Sequence, residues 1–420
     1  MQKVKRIRLI AICLVFAMSL TACADKSTQE PEATQQEAND EVISLRLWGA
    51  EREQEFLQQL VESFKEKYSE EATFDITIEP VEEGECKDRI LENVNGAPDV
   101  FAFADDQFME LAAAGVLEPI TYQEEVASNN IEGAVEASKV GDQIYAYPIT
   151  ADNGYFMYYN KKYFTDEDVK TLDRMLEVAE KKNKKVAMDW ESGWYIYSFF
   201  GNTGLTLGLN DDYITNYCTW NSTKSEVKGI DVAKAMRRIA SYESFQSAND
   251  TAIVEGIQDG SIIAGVSGTW NSVMIEEAWK EHYGAVKLPT YTLAGNQVQM
   301  ASYAGYKMLG VNSYSENVEW AEKLALYLSS EEAQLQRFQN TGQGPSNINA
   351  SNSEEVSNSV AISALIQQSE FASLQRVGLQ YWDACSKFGK AMATGKLEGK
   401  SLQVLLNDTV KAITSSIVEE

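Results

Sequence analysis

The chain has 420 residues, with 63 acidic side chains against 36 basic ones and a formal net charge of −27 at pH 7. So strong an acidic excess makes nucleic acid and anionic membrane surfaces poor partners, and leaves a neutral solute compatible. The one histidine, His282 in the polar run Lys280-Glu281-His282-Tyr283, excludes a histidine-based zinc site and leaves any Ser-His-Asp triad resting on a single residue.

At the N-terminus Lys3, Lys5, Arg6 and Arg8 form a basic head, Leu9 to Leu20 is a nearly unbroken apolar run, and Leu20-Thr21-Ala22-Cys23 follows directly. That order is the order of an export signal with a processing site. The apolar run is too short for a membrane span of about 20 residues. Residues 1–22 therefore read as a signal peptide, and Leu20 to Cys23 resembles the lipobox of bacterial lipoproteins, which implies an acylated Cys23 on the outer face of the bacterial cell membrane. From Ala24 to Glu41 there is no aromatic residue and no apolar one larger than alanine. Such a stretch cannot bury enough surface to fold, so 23–41 is expected to be a lipidated cysteine and a disordered tether. Once the leader takes Cys13 and Cys23 carries lipid, Cys86, Cys218 and Cys385 remain. Three widely spaced cysteines write no disulfide framework and no zinc knuckle; buried thiols are expected, with one pair left open.

The body of about 380 residues exceeds what one hydrophobic core holds, which predicts two lobes. Ile43, Leu45 and Leu47 alternate with polar residues as in a strand, and Phe56, Leu60, Phe64 and Tyr68 then recur at helical spacing. A second alternating run, Phe74 to Ile78, stops at Pro80. The apolar Val100–Phe103 precedes Asp105-Asp106, placed to cap a helix through Ala114. Strand-like Ile144–Ile149 and Tyr155–Tyr159 bracket the loop Thr150–Gly154. The alternation restarts with an amphipathic helix within Asp166–Lys182, a strand at Lys185–Met188, an aromatic helix after Asp189, a helix at Ala252–Ile257, a buried strand at Ile262–Val266, and a helix opening at Ser267–Asn271. From about Tyr306 the pattern turns helical: Val318 to Leu328, a helix capped by Ser329 with Glu332, then Val360–Leu374, Gly378–Met392 and Leu402–Val418. This order is that of an α/β protein with helices flanking sheets.

Aromatic rings stand beside carboxylates and amides where strands end and helices begin: Trp48 with Glu51, Asp105-Asp106-Gln107, Asp152-Asn153, Trp190 with Glu191, Trp194, Trp270-Asn271, Tyr303 and Trp382. In open α/β sheets ligands sit beyond the carboxyl ends of the strands. A pyranose has an apolar C–H face and a rim of hydroxyls, so it asks for flat rings and planar polar groups together. Paired carboxylates such as Asp105-Asp106 also permit a surface glycoside hydrolase, but neighbours on a turn rarely face one another at the separation hydrolysis requires. Gly265-Val266-Ser267-Gly268 lacks the lysine of a phosphate loop.

The lipobox, Leu47-Trp48-Gly49-Ala50-Glu51, Gly96–Phe101, Leu111–Pro119, Tyr147-Pro148, Tyr159-Asn160-Lys161 and Val266–Trp270 occur in the order seen in family 1 extracellular solute-binding proteins of ABC sugar importers, which the chain resembles over its whole body. It is most similar to the maltose/maltodextrin-binding branch. The resemblance implies a periplasmic-binding-protein-like class II fold: two discontinuous α/β lobes (42–150 plus 308–345, and 151–307 plus 346–420) joined by a hinge, with the ligand cleft between them. Chain crossings are expected near Ile149–Asn153 and Tyr303–Met308, with a helical one around Gln343–Ser346. Trp48 to Glu51 would line the cleft, and Asp106 beside Asp105 would take sugar hydroxyls, with Gln107 where the branch often has arginine. Asp152 or Asn153 would serve as the hydroxyl-binding group at the hinge, Trp194, Trp270 and Trp382 as stacking rings, and Tyr303 as a further contact. The implied protein is a monomeric receptor and not an enzyme, without cofactor or metal, delivering a neutral oligosaccharide to an ABC permease; a sugar-sensing module without transport is the other binding role.

Overall fold

The structure, a computed structural model, describes residues 42–416 apart from 211 and 213; the leader, Cys23 and the tether to residue 41 lie outside the described residues. Ten strands in two sheets carry the architecture: β1 (Val42–Gly49), β2 (Thr73–Pro80), β3 (Val100–Ala104), β4 (Tyr147–Thr150), β5 (Phe156–Asn160), β6 (Lys185–Met188), β7 (Phe245–Ser247), β8 (Ile262–Ser267), β9 (Tyr283–Val286) and β10 (Lys307–Val311). The first sheet runs β2-β1-β3-β10-β4, with β1 parallel to β2 and β3, and β10 antiparallel to both of its neighbours. The second runs β7-β6-β8-β5-β9, with β6 parallel to β7 and β8, and β5 antiparallel to β8 and β9. Because β10 returns to the first sheet after the whole second sheet has been built, the first lobe is discontinuous in sequence, and Tyr381 and Phe388, packed later into the second core, make the second lobe discontinuous too.

Each sheet is sealed by its own helices. In the first lobe Leu45, Leu47, Val100 and Leu309 pack with Phe56, Leu60 and Phe64 of helix Gln54–Lys67 and with Leu324 and Leu328 of helix Val318–Leu328. In the second, Met157, Val186, Met188 and Val266 pack with Leu176, Phe199, Met236 and Phe388. Continuous burial along β5 and β8 is what a strand covered on both faces requires. No helix among the described residues is long and apolar enough to cross a membrane.

The chain passes between the lobes from β4 to β5, through Ser302–Ala304 into β10, and again at Gly344-Pro345. That third passage is extended where a helical one was expected. Gly342, with φ of 74°, closes helix Glu331–Thr341, and Pro345 has no N–H with which to continue it. Pro345 instead bridges Thr150, and Ala151 N donates to Gly344 O at 2.9 Å, tying the passage to the end of β4. Three further elements differ from the sequence reading. Helix Val360–Ser369 stops early, because Ala372–Leu374 pairs as a parallel strand with Ser302–Ala304. The cap of helix Glu331–Thr341 is Ser330, whose hydroxyl accepts from Ala333 N, not Ser329. Asp105 and Asp106 form a 3-10 turn without a side-chain cap before helix Phe108–Ala113, since the Asp105 carboxylate is engaged elsewhere.

Candidate ligand-binding cleft

The parallel strands of both sheets end on one cleft of about 900 Å³. From the first lobe Arg52 follows β1, Glu82 and Glu83 follow β2, and Asp106 and Gln107 follow β3. Lys307, the first residue of antiparallel β10, pairs with Ala104 and so reaches the same edge. From the second lobe Trp194 follows β6, Asp250 follows β7, and Trp270 and Asn271 follow β8. This is the carboxyl-end position that open α/β sheets reserve for ligands.

The two walls differ in chemistry. The second lobe presents rings: the Trp194 and Trp270 centroids lie 5.6 Å apart with planes inclined at 31°, and Trp382, Leu379 and Met274 extend the apolar surface. Leu379 and Met274 are 46% and 41% exposed. Asp250 holds the Trp270 ring by accepting from its indole Nε1 at 3.3 Å, while Ser267 Oγ donates to the same carboxylate at 2.6 Å. Burial raises the Asp250 pKa, and the Ser267 and Trp270 donors act against that rise.

The first lobe presents charge, most of it internally matched. Arg52 forks onto Glu82 at 2.7 Å and Glu83 at 2.9 Å. Lys307 Nζ lies 3.1 Å from Glu83 and 2.9 Å from Gln343, with the Trp270 ring centroid 5.9 Å away. Burial would lift the Glu83 pKa, but Lys307 and Arg52 outweigh it and hold the carboxyl well below the usual range. Asp106 makes no ion pair among the described residues. Burial first, and the neighbouring Asp105 carboxylate next, push it up to about 7, with Gln375 and the Arg376 charge opposing the rise.

Of the residues singled out in the sequence, Asp106, Gln107, Asn153, Trp194, Trp270, Asn271 and Trp382 line the cleft. The others stand off its wall. Trp48 packs among Val81, Cys86 and Phe103 and donates its indole N–H to Glu79 at 2.9 Å, because its place in β1 turns the ring into the layer beneath the sheet. Glu51 is exposed, and its backbone N–H meets Glu82 at 3.2 Å. Asp105 is buried and faces the hinge: it accepts from Tyr306 N at 3.0 Å and pairs with Arg376 at 2.8 Å. Asp152 is buried and accepts from the Thr269 hydroxyl and, at 2.6 Å, from Gly344 N, leaving Asn153 toward the cleft. Tyr303 is sealed in the second lobe, stacked on Tyr197 at 4.2 Å. Trp190 is likewise core, against Phe199 and Phe245. Gln107, on the cleft wall, bonds the 83–87 turn through Glu83 O and Lys87 N. Sequence reasoning missed Glu83, Asp250, Lys307 and Gln375. Glu82-Glu83-Gly84, one residue beyond Pro80, and Asn249-Asp250 after β7 carry the strand-end signal that could have found the first two.

The model for the bacterial extracellular solute-binding protein family matches residues 59–364. The chain is 23% identical to the galactooligosaccharide-binding protein of Bacillus subtilis (strain 168), with 98% of each chain covered. It is also 23% identical to the maltooligosaccharide ABC transporter solute-binding lipoprotein of Streptococcus pneumoniae serotype 4, covering 99% of this chain and 98% of that one. A solved structure with acarbose superposes with a TM-score of 0.80 at 28% identity, covering 90% of this chain and 99% of its own. The maltodextrin binding protein MalE1 from L. casei BL23 without ligand superposes with a TM-score of 0.73 at 24% identity, over 89% of this chain and 99% of that one. With the family match running through all three passages between the lobes, the chain belongs to the bacterial extracellular solute-binding proteins.

Proposed function

We propose that this protein is an extracytoplasmic receptor that captures an oligosaccharide, of malto-oligosaccharide type, by closing its lobes on it and delivers it to an ABC importer. The observation that carries this reading is the opposition of an indole wall, Trp194, Trp270 and Trp382, to a polar wall holding Asp106 and Asn153. The rings take the C–H faces of the sugar, and Asp106 and Asn153 take its hydroxyls. Trp48, Asp105, Asp152 and Tyr303 act behind them by holding the wall. The names of the relatives, one a galactooligosaccharide binder and one a maltooligosaccharide receptor, support the ligand class and leave the linkage to measurement. A lipid on Cys23 keeps the receptor at the cell surface. We read the role as binding and not hydrolysis: the paired carboxylate next to Asp106, Asp105, is committed to Arg376.

Each stacked ring contributes about 0.5–1.5 kcal/mol beyond area burial, and micromolar affinity corresponds to roughly −8 kcal/mol. Three rings and several hydrogen bonds reach that range without a metal. Titration calorimetry with maltotriose tests the reading. Trp270→Ala and Trp382→Ala are each expected to weaken binding by about tenfold or more with the fold intact; unchanged affinity in both removes the stacking argument.

A further inference from the structure

Between helix Val360–Ser369 and helix Gln380–Thr394 the chain does more than connect two helices. Both helices belong to the second lobe: the former packs on β5 and β9, the latter on helix Gly193–Phe200. Ala372–Leu374 runs beside Ser302–Ala304, and Arg376, two residues on, reaches the first lobe. Arg376 Nη1 lies 2.8 Å from Asp105 Oδ2, and Gln375 lines the same cleft as Asp106. Asp105 and Asp106 directly follow β3, the central strand of the first sheet. Arg376 of one lobe thus grips the residue that follows β3 of the other, beside the hinge.

The grip involves a carboxylate that has no other place to go. The Asp105 side chain is 0% exposed, while Arg376 retains 35%. The second Asp105 oxygen accepts from Tyr306 N at 3.0 Å, in the passage that enters β10. A Cβ at Gly305 would stand 2.4 Å from that oxygen, so the passage fits closely around the carboxylate. Separating the lobes here would strip a buried carboxylate of its cation, which is unfavourable unless water replaces it.

We propose that Arg376 forms an inter-lobe clasp on Asp105 that favours the closed arrangement before any ligand arrives and, by holding Asp105, sets the position of the adjoining Asp106 on the cleft wall. The clasp itself is independent of what the cleft binds; its effect on affinity rests on the sugar-receptor reading. Arg376 is a positioning residue, acting on ligand through Asp105 and the adjoining Asp106 and through the fraction of receptor already competent to bind.

Small-angle X-ray scattering of the unliganded protein tests this, with Arg376→Met, Arg376→Lys and the double variant Asp105→Asn/Arg376→Met, which leaves no unpaired buried carboxylate. The expected result is a larger radius of gyration for Arg376→Met and for the double variant than for wild type, recovery in Arg376→Lys, and convergence of all four at saturating maltotriose. Maltotriose affinity is expected to fall about tenfold in Arg376→Met and to recover in Arg376→Lys. Unliganded scattering identical to wild type in the folded Arg376→Met variant overturns the clasp. If that variant does not fold, identical scattering in the double variant does so. Wild-type protein that binds no oligosaccharide sinks the sugar reading alone, since the unliganded comparison still decides the clasp.

Discussion

Asp106 is the residue at which the electrostatics of the cleft become measurable. Its environment lifts it from an ordinary value of 3.8 to about 7, burial contributing most and Asp105 next. Between about pH 4 and about pH 7 the native protein therefore keeps a proton that the unfolded chain has released. Stability from this group is present at the acid end of that window and is lost as pH rises through about 7. Asp106→Asn removes the titration while keeping the shape. It is expected to raise stability at pH 8 by an amount on the order of 1–3 kcal/mol, and to make little difference near pH 4.5. Thermal melts at the two pH values check this, and a variant less stable than wild type at pH 8 would contradict the assigned cause. Asp106, Asn153 and three of the tryptophans could be found from sequence because rings and amides at element junctions are unusual. Junction position does not say which way a side chain turns, however. Trp48, Trp190 and Tyr303 occupy equivalent places and face the core, and Lys307 reaches the cleft only because antiparallel β10 starts where β3 ends.

At the scale of elements, close backbone approach fixes how the second lobe is assembled. Helix Gly229–Ile239 begins against the Trp220 carbonyl, and a Cβ at Gly229 would stand 1.7 Å from that oxygen. Trp220 cannot retreat, since it is buried and stacked on Phe200 with centroids 4.0 Å apart. Gly229→Ala is therefore expected to cost about 1–3 kcal/mol in urea unfolding. Gly84→Ala, with nothing within 4 Å of its added Cβ, serves as the matched control and should change little. The strands and helices of both lobes were legible because their patterns are strong: alternation in β1, a buried run in β8, helical spacing in Gln54–Lys67. The boundaries that failed are those decided by distant partners. Ala372–Leu374 has helical neighbours in sequence yet pairs with Ser302–Ala304, and the passage at Gly344-Pro345 is extended because the end of β4 receives it.

For the whole molecule, the question is whether two sheets with separate cores behave as one folding unit. Asp152 argues that they do. It follows β4 of the first lobe, accepts from Thr269 in the second, and accepts from Gly344 N in the third passage, all while 2% exposed. Lys307 adds a second link, from β10 to the Trp270 ring, and Arg376 a third. Burial raises the Asp152 pKa, and the nearby Lys307 charge and the Thr269 and Gly344 donors oppose that rise. Losing the carboxylate leaves the Thr269 hydroxyl and the Gly344 N–H without their acceptor, which costs about 1–3 kcal/mol for each buried group. The loss falls on the junction and on neither core, so it should lower coupling as well as stability. In differential scanning calorimetry the wild-type protein is expected to unfold in one transition whose calorimetric and van't Hoff enthalpies agree. Asp152→Ala should melt lower, with a calorimetric enthalpy exceeding the van't Hoff value as the lobes begin to unfold separately. A variant that melts lower while the two enthalpies stay equal would show that Asp152 stabilises without coupling, and cooperativity would then have to reside in the passages of the backbone itself.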